Sequence, residues 1–223
     1  MFKNYFYFDI ETTSKYIDIT EFEKMDKRGY DLFVKKKDMM FDYDEKWTAP
    51  LSRLYVDKAP ILPEYGKIIC MSFGMFVNDK LQIRTIIDDD EEKLLNTIKG
   101  VLDKVNGTNK RLCGFSIKSF DIPWIVRKMY KYNIQLPHSI DFSGLKPWEI
   151  GVVDVYDIWK GSARLGASLD EVAYDLGIDS PKKKMSGKDI HSYYWLKKDK
   201  ASIIEYCESD ITCLVDIASK LKI

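Results

Sequence analysis

Four consecutive aromatic residues, Tyr5-Phe6-Tyr7-Phe8, lead into Asp9-Ile10-Glu11 and stop at the polar Thr12-Thr13-Ser14. Such a run reads as a buried strand, and a two-residue period puts Asp9 and Glu11 on one of its faces. Two carboxylates at the end of an apolar strand repel each other where water is scarce, which is costly unless a cation lies between them. Hard oxygen ligands at this spacing suit Mg²⁺ or Mn²⁺. An Asp-x-Glu pair can also simply end a strand in solvent, so the rest of the chain decides between the two readings.

With 223 residues, 45% of them hydrophobic, the chain is long enough for one well-cored domain, 1–223, carrying a large insertion. Lysine plus arginine and aspartate plus glutamate both number 35, so the net charge is zero. Any contact with nucleic acid therefore has to come from local basic patches. Cys70, Cys113, Cys207 and Cys213 are scattered in apolar surroundings, form no Cys-x-x-Cys pair, and have only two histidines to complete a metal site. This spacing argues against structural zinc and for buried free thiols in a reducing compartment. No basic segment followed by an apolar one precedes the first strand, and no apolar run approaches the length of a membrane span. The expectation is a cytoplasmic protein that does not engage a membrane.

After the first strand, residues 14–63 become rich in Lys, Asp, Met and aromatics, and segments 19–28, 31–42 and 48–57 carry apolar residues at roughly helical spacing. Lys67–Val77, a turn at Asn78-Asp79-Lys80, and Leu81–Ile87 read as a β-hairpin. The acidic Asp88–Glu92 suits a helix N-terminus, and Leu94, Leu95, Ile98, Val101, Leu102 and Val105 continue that helix to Gly107. Arg111–Phe115 reads as a short strand. A helix begins near Asp121, where Pro123 falls in the first turn at little cost. Gly151–Tyr156 reads as another strand, Ser168 and Glu171 as a capping box, and Tyr193–Trp195 as part of a short helix.

The last element, from about Lys200 to Leu221, is an amphipathic helix. Ile203, Cys207, Leu214 and Ala218 trace its inward stripe, and Asp210 falls on that stripe where an apolar residue belongs. Tyr206, at i−4, can project into the same space. Either Asp210 has a buried partner or it sits half exposed at the edge of the helix.

Asp9-x-Glu11, the segment Gly114–Trp124 with Asp121 and Arg127, and Tyr206-x-x-x-Asp210 together resemble the three motifs of the DEDDy branch of the DnaQ-like 3′–5′ exonucleases. The chain is most similar to stand-alone exonucleases that resemble the proofreading domain of family-B DNA polymerases. Pro63–Cys70, Ser168-Leu169-Asp170, Leu176-Gly177-Ile178 and Tyr206–Asp210 extend the likeness over most of its length. The resemblance implies an α/β RNase H-like fold: a central mixed five-stranded sheet flanked by helices, with a helical and loop insertion after the first strand.

It also implies a function, metal-dependent removal of nucleoside 5′-monophosphates from a 3′ end. Asp9, Glu11, Asp121 and Asp210 would hold two Mg²⁺ or Mn²⁺ ions, and Tyr206 would orient the attacking water. The implied partners are nucleic acid, with single-stranded DNA 3′ ends favoured, and proteins of a replication complex. RNA trimming and a non-catalytic 3′-end-binding subunit are the alternatives. Thr12 and Thr13 would lie close to the 3′ end, and Phe120 and Trp124 would stack on bases. Lys182, Lys183 and Lys184 would contact phosphates. Ser116 stands where the second motif usually carries Asn; this shorter side chain bears on 3′-end positioning rather than on the metals. Asp154 and Asp157 are candidates for supporting that site from behind.

Overall fold

The computed structural model describes residues 2–41, 44, 47–146, 149–180 and 185–223. Strand β1 (Tyr5–Ser14) is the middle of the sheet, and its alternation is the simplest reason the layers separate as they do. Phe6, Phe8 and Ile10 point to one face, while Tyr5 and Tyr7 point to the other. Both faces are covered, so the strand is apolar on both sides rather than alternating.

β1 pairs antiparallel with β2 (Gly66–Val77), which forms a hairpin with β3 (Lys80–Ile87). On its other edge β1 pairs in parallel with β4 (Arg111–Gly114), and β4 with the two-residue β5 (Val153–Asp154). The order β3-β2-β1-β4-β5 is the mixed five-stranded sheet that the resemblance implies. Opposite the step from Glu11 to Thr12 the register with β2 jumps from Cys70 to Ile68, leaving Ile69 as an extra residue in a β-bulge.

Helices α1 (Ile19–Met25), α2 (Lys27–Phe41) and α3 (Leu51–Lys58) follow β1. They close on their own aromatic cluster of Phe22, Phe33, Tyr55 and Tyr65, in which the rings of Phe22 and Tyr55 stack 4.9 Å apart. α4 (Glu91–Asn106) and α5 (Asp121–Lys131) cover the face bearing Phe6, Phe8 and Ile10. Asp90 caps α4 through the amides of Glu92 and Lys93, so the acidic run is indeed a helix start.

α6 (Val155–Lys160), α7 (Leu169–Asp175) and α8 (Lys200–Lys220) complete the fold. α8 packs its Ile211, Leu214 and Ala218 against Tyr5 and Tyr7. A Cβ at Gly74 would lie 2.8 Å from Ile211 Cγ2, so the absence of a side chain there lets the helix settle onto β2. Ser168 and Glu171 form the expected capping box on α7. All four cysteines are buried and free. Among the described residues no helix is long and apolar enough to cross a membrane.

Two expected elements differ. The apolar run Gly151–Tyr156 gives strand only at Val153–Asp154, because the Asp154 side chain accepts the Tyr156 amide and turns the chain into α6. The segment around Tyr193–Trp195 winds as a π-helix, Ser192–Lys197.

Candidate metal centre

Asp9 and Glu11 leave β1 on the α8 side of the sheet. Asp9 is half-buried and Glu11 is 7% exposed. α8 brings Tyr206, Cys207 and Asp210 against them, and Asp210 is buried at 9% exposure, which settles its position on the inward stripe. The Tyr206 phenol and the Asp210 carboxylate share a hydrogen bond. Cys207 Sγ lies 3.5 Å from Asp9 Oδ2 and 3.7 Å from the Asp9 carbonyl, within reach of a weak thiol hydrogen bond. Ligand atoms of Asp9, Glu11 and Cys207 all fall within 4.8 Å of one another. Asp121, 2% exposed, enters from the start of α5: its Oδ1 accepts the Ile10 amide at 3.0 Å.

The electrostatics follow from this crowding. Burial, then the charges of Asp121 and Asp210, hold the Asp9 carboxyl well above the usual carboxylate range. Glu11 is raised by burial and then by Asp9 and Asp210. Burial lifts Asp121 to about 7, against the lowering effect of the Ile10 amide. Burial is the largest influence on all three, followed by neighbouring carboxylates for Asp9 and Glu11, while Asp154 adds to the rise of Asp121. Four hard oxygen donors, desolvated and mutually repelling, are the donor set that divalent cations such as Mg²⁺ or Mn²⁺ fit. Tyr206 is raised by burial and by Glu11, Asp210 and Asp9, so its phenol stays protonated and serves as a hydrogen-bond donor.

The residues expected around the substrate are placed less uniformly. Asp154, 3% exposed, accepts the amides of Ser116 at 2.8 Å and Lys118 at 3.0 Å, besides that of Tyr156, and so fixes the loop that precedes Asp121. Ser116 itself adopts a left-handed backbone, φ +61°. Phe120 is half-buried, its ring 5.9 Å from that of Trp124. Trp124 is 1% exposed, sealed in the core against α4 and β2, so it offers no face to a base. Thr13 is likewise fully buried, and the Thr12 hydroxyl donates to the Pro60 carbonyl at 2.6 Å. Stacking by Trp124 and hydroxyl contact by Thr13 are therefore corrected to structural roles. Lys182, Lys183 and Lys184 lie outside the described residues. Asp157 pairs with Lys118 at 3.2 Å, on the surface. Cys207 is the neighbour that sequence reasoning treats only as core; its place three residues before Asp210 on the same stripe is the available signal.

A buried cluster of acids at the end of the central strand of this mixed sheet defines an RNase H-like nuclease architecture. The chain belongs to the RNase_H superfamily: the RNase_H_2 family matches residues 59–222. No curated protein matches it in sequence. Among solved structures it is similar to the family B DNA polymerase from the hyperthermophilic archaeon Pyrobaculum calidifontis, with a TM-score of 0.58 and 14% identity. That likeness covers 97% of this chain and 24% of the polymerase, so the chain spans about a quarter of that protein's length.

Proposed function

We propose that this protein is a 3′–5′ exonuclease of the DEDDy type, acting on single-stranded DNA 3′ ends with two Mg²⁺ or Mn²⁺ ions. The observation that carries the reading is the convergence of Asp9, Glu11, Asp121 and Asp210 on one desolvated strand end, where burial and neighbouring carboxylates raise Asp9 and Glu11. Divalent cations bound there supply a more acidic water and stabilise charge on both oxygens of the displaced phosphodiester. The chain's own residues do the rest. The four carboxylates would hold the cations, and Tyr206, kept neutral beside Asp210, would orient the attacking water. Phe120, beside Asp121, offers a partly exposed ring for the terminal base. Asp154 holds the loop on which Ser116 and Phe120 stand. The likeness to a polymerase supports proofreading or end processing as the setting.

Digestion of 3′- and 5′-labelled single-stranded DNA, duplex DNA and RNA with Mg²⁺ or Mn²⁺ tests this. The expected result is release of mononucleotides from the 3′ end of single-stranded DNA by the wild type and none by Asp9→Ala. Absence of activity with either ion, or equal activity in the variant, overturns it. Faster cleavage of RNA than DNA moves the function to RNA trimming.

A further inference from the structure

A cleft of about 290 Å³ lies beside α5, lined by Lys15, Pro63, Glu64, Arg127, Lys128 and Lys131. We propose that it binds the phosphodiester backbone of the substrate strand a few nucleotides from the metal centre, a proposal that rests on the nuclease reading above.

The cleft borders two of the three elements that carry the acids, the end of β1 and α5. Lys15 follows the last residue of β1, four residues beyond Glu11, or roughly 13 Å along a strand. Arg127 is six residues beyond Asp121 on α5, or roughly 9 Å along a helix. Nucleic acid rises ~3.4 Å per stacked nucleotide, so these offsets span roughly two to four nucleotides. Phe120, Arg127 and Lys131 stand at i, i+7 and i+11, one stripe of the helix. A strand whose end meets Phe120 beside Asp121 is therefore led along that stripe into the cleft.

The charges there favour an anion. Lys128 and Lys131 share the single carboxylate of Glu91, at 3.2 and 3.1 Å. Lys15 pairs with Asp26 at 2.8 Å. Arg127 meets Glu64 only at 3.6 Å, with both side chains more than half exposed. Such a loose surface pair is worth little and exchanges readily for a phosphate, which a guanidinium fork can hold bidentately. Lys128, 3% exposed and donating to the Gly66 carbonyl, is lowered to about 8 chiefly by burial; Glu91 opposes this, and Lys131 and Lys15 add smaller repulsions. An anion in the cleft relieves that repulsion.

The test is binding of fluorescent two- and eight-nucleotide oligothymidylates in Ca²⁺ at several salt concentrations, with wild type, Arg127→Gln and Glu64→Gln. The eight-nucleotide ligand should bind the wild type more tightly than the two-nucleotide one. Arg127→Gln should weaken the longer ligand about three- to tenfold and flatten its salt slope by roughly one unit. Glu64→Gln, which frees Arg127, should tighten it, an outcome that misfolding does not produce. The proposal is overturned if both variants leave the eight-nucleotide affinity within twofold of wild type, or shift both lengths equally. Hydrolysis by the wild type in Mn²⁺ is scored separately. Cleavage with unaltered variant binding removes the cleft alone, and variant-sensitive binding without cleavage removes the nuclease reading alone.

Discussion

Asp121 Oδ1 accepts the backbone amide of Ile10, the residue between Asp9 and Glu11, at 3.0 Å. One carboxylate thus both docks the start of α5 on the central strand and belongs to the acidic cluster. The two roles separate in Asp121→Asn, which keeps an oxygen for the amide and removes the charge. Nuclease activity should fall by more than the ~100-fold that outer partners of a metal site typically cost. The melting temperature without metal should hold or rise, since a desolvated charge is gone. Parallel activity and thermal-melt measurements check both.

Metal and pH should act on stability together. Asp121 sits at about 7 when folded against 3.8 for a free aspartate, and Asp9 and Glu11 are raised as well. Between the ordinary and the raised values the folded protein holds more protons than the unfolded chain, so stability falls as pH rises from about 4 through about 7. Melts in EDTA should therefore be higher at pH 5 than at pH 8. Added Mn²⁺ should raise the melting temperature more at pH 8, where the carboxylates are free of protons to receive it. An equal Mn²⁺ effect at both pH values would count against the acidic cluster as the binding site.

Tyr206 should matter through its hydroxyl alone. Tyr206→Phe keeps the ring that packs with Ile203 and Cys207. It should lower kcat by about tenfold, the worth of one hydrogen bond, with little change in KM. A proton-transfer role would cost far more and alter the pH profile; the phenol, held neutral by burial and then by the surrounding acids, is not suited to it.

Asp154→Ala should be among the more damaging changes outside the acids. It strips three backbone amides, those of Ser116, Lys118 and Tyr156, of a buried acceptor and uncaps α6. A loss of about 2–4 kcal/mol is expected in denaturant titration. Asp154→Asn, which retains one oxygen for Ser116 and Tyr156, should lose less.

What the sequence reveals depends on whether a residue breaks its local pattern. Asp210 is legible because it interrupts an apolar stripe, and Asp9 and Glu11 because they end an aromatic run. The hairpin and α4 are legible from alternation and from an acidic start followed by a 3.6-residue period. Trp124 is misread because an aromatic beside a site motif looks the same whether it faces substrate or core; only the packing of α5 on the sheet buries it. Residues 151–156 are misread because their apolar run suits a strand, while a single side-chain hydrogen bond from Asp154 selects a helix. The cleft at Lys15 and Arg127 leaves no trace in local sequence, since its cations come from segments more than a hundred residues apart.

The extra residue in β2 has a further consequence. Because Ile69 is unpaired, it and Cys70 both face the side of Tyr206 and Cys207, while Ile68 and Met71 face α4 and α5. The strand therefore reverses phase at that point, and the count of residues from Gly66 to Cys70 is fixed by the sheet. Removing one residue there would turn Ile68 toward the acids and pull the end of β1, with the whole helical insertion anchored to it, out of step. Length variation among relatives should thus be concentrated within the insertion and be absent from this short stretch.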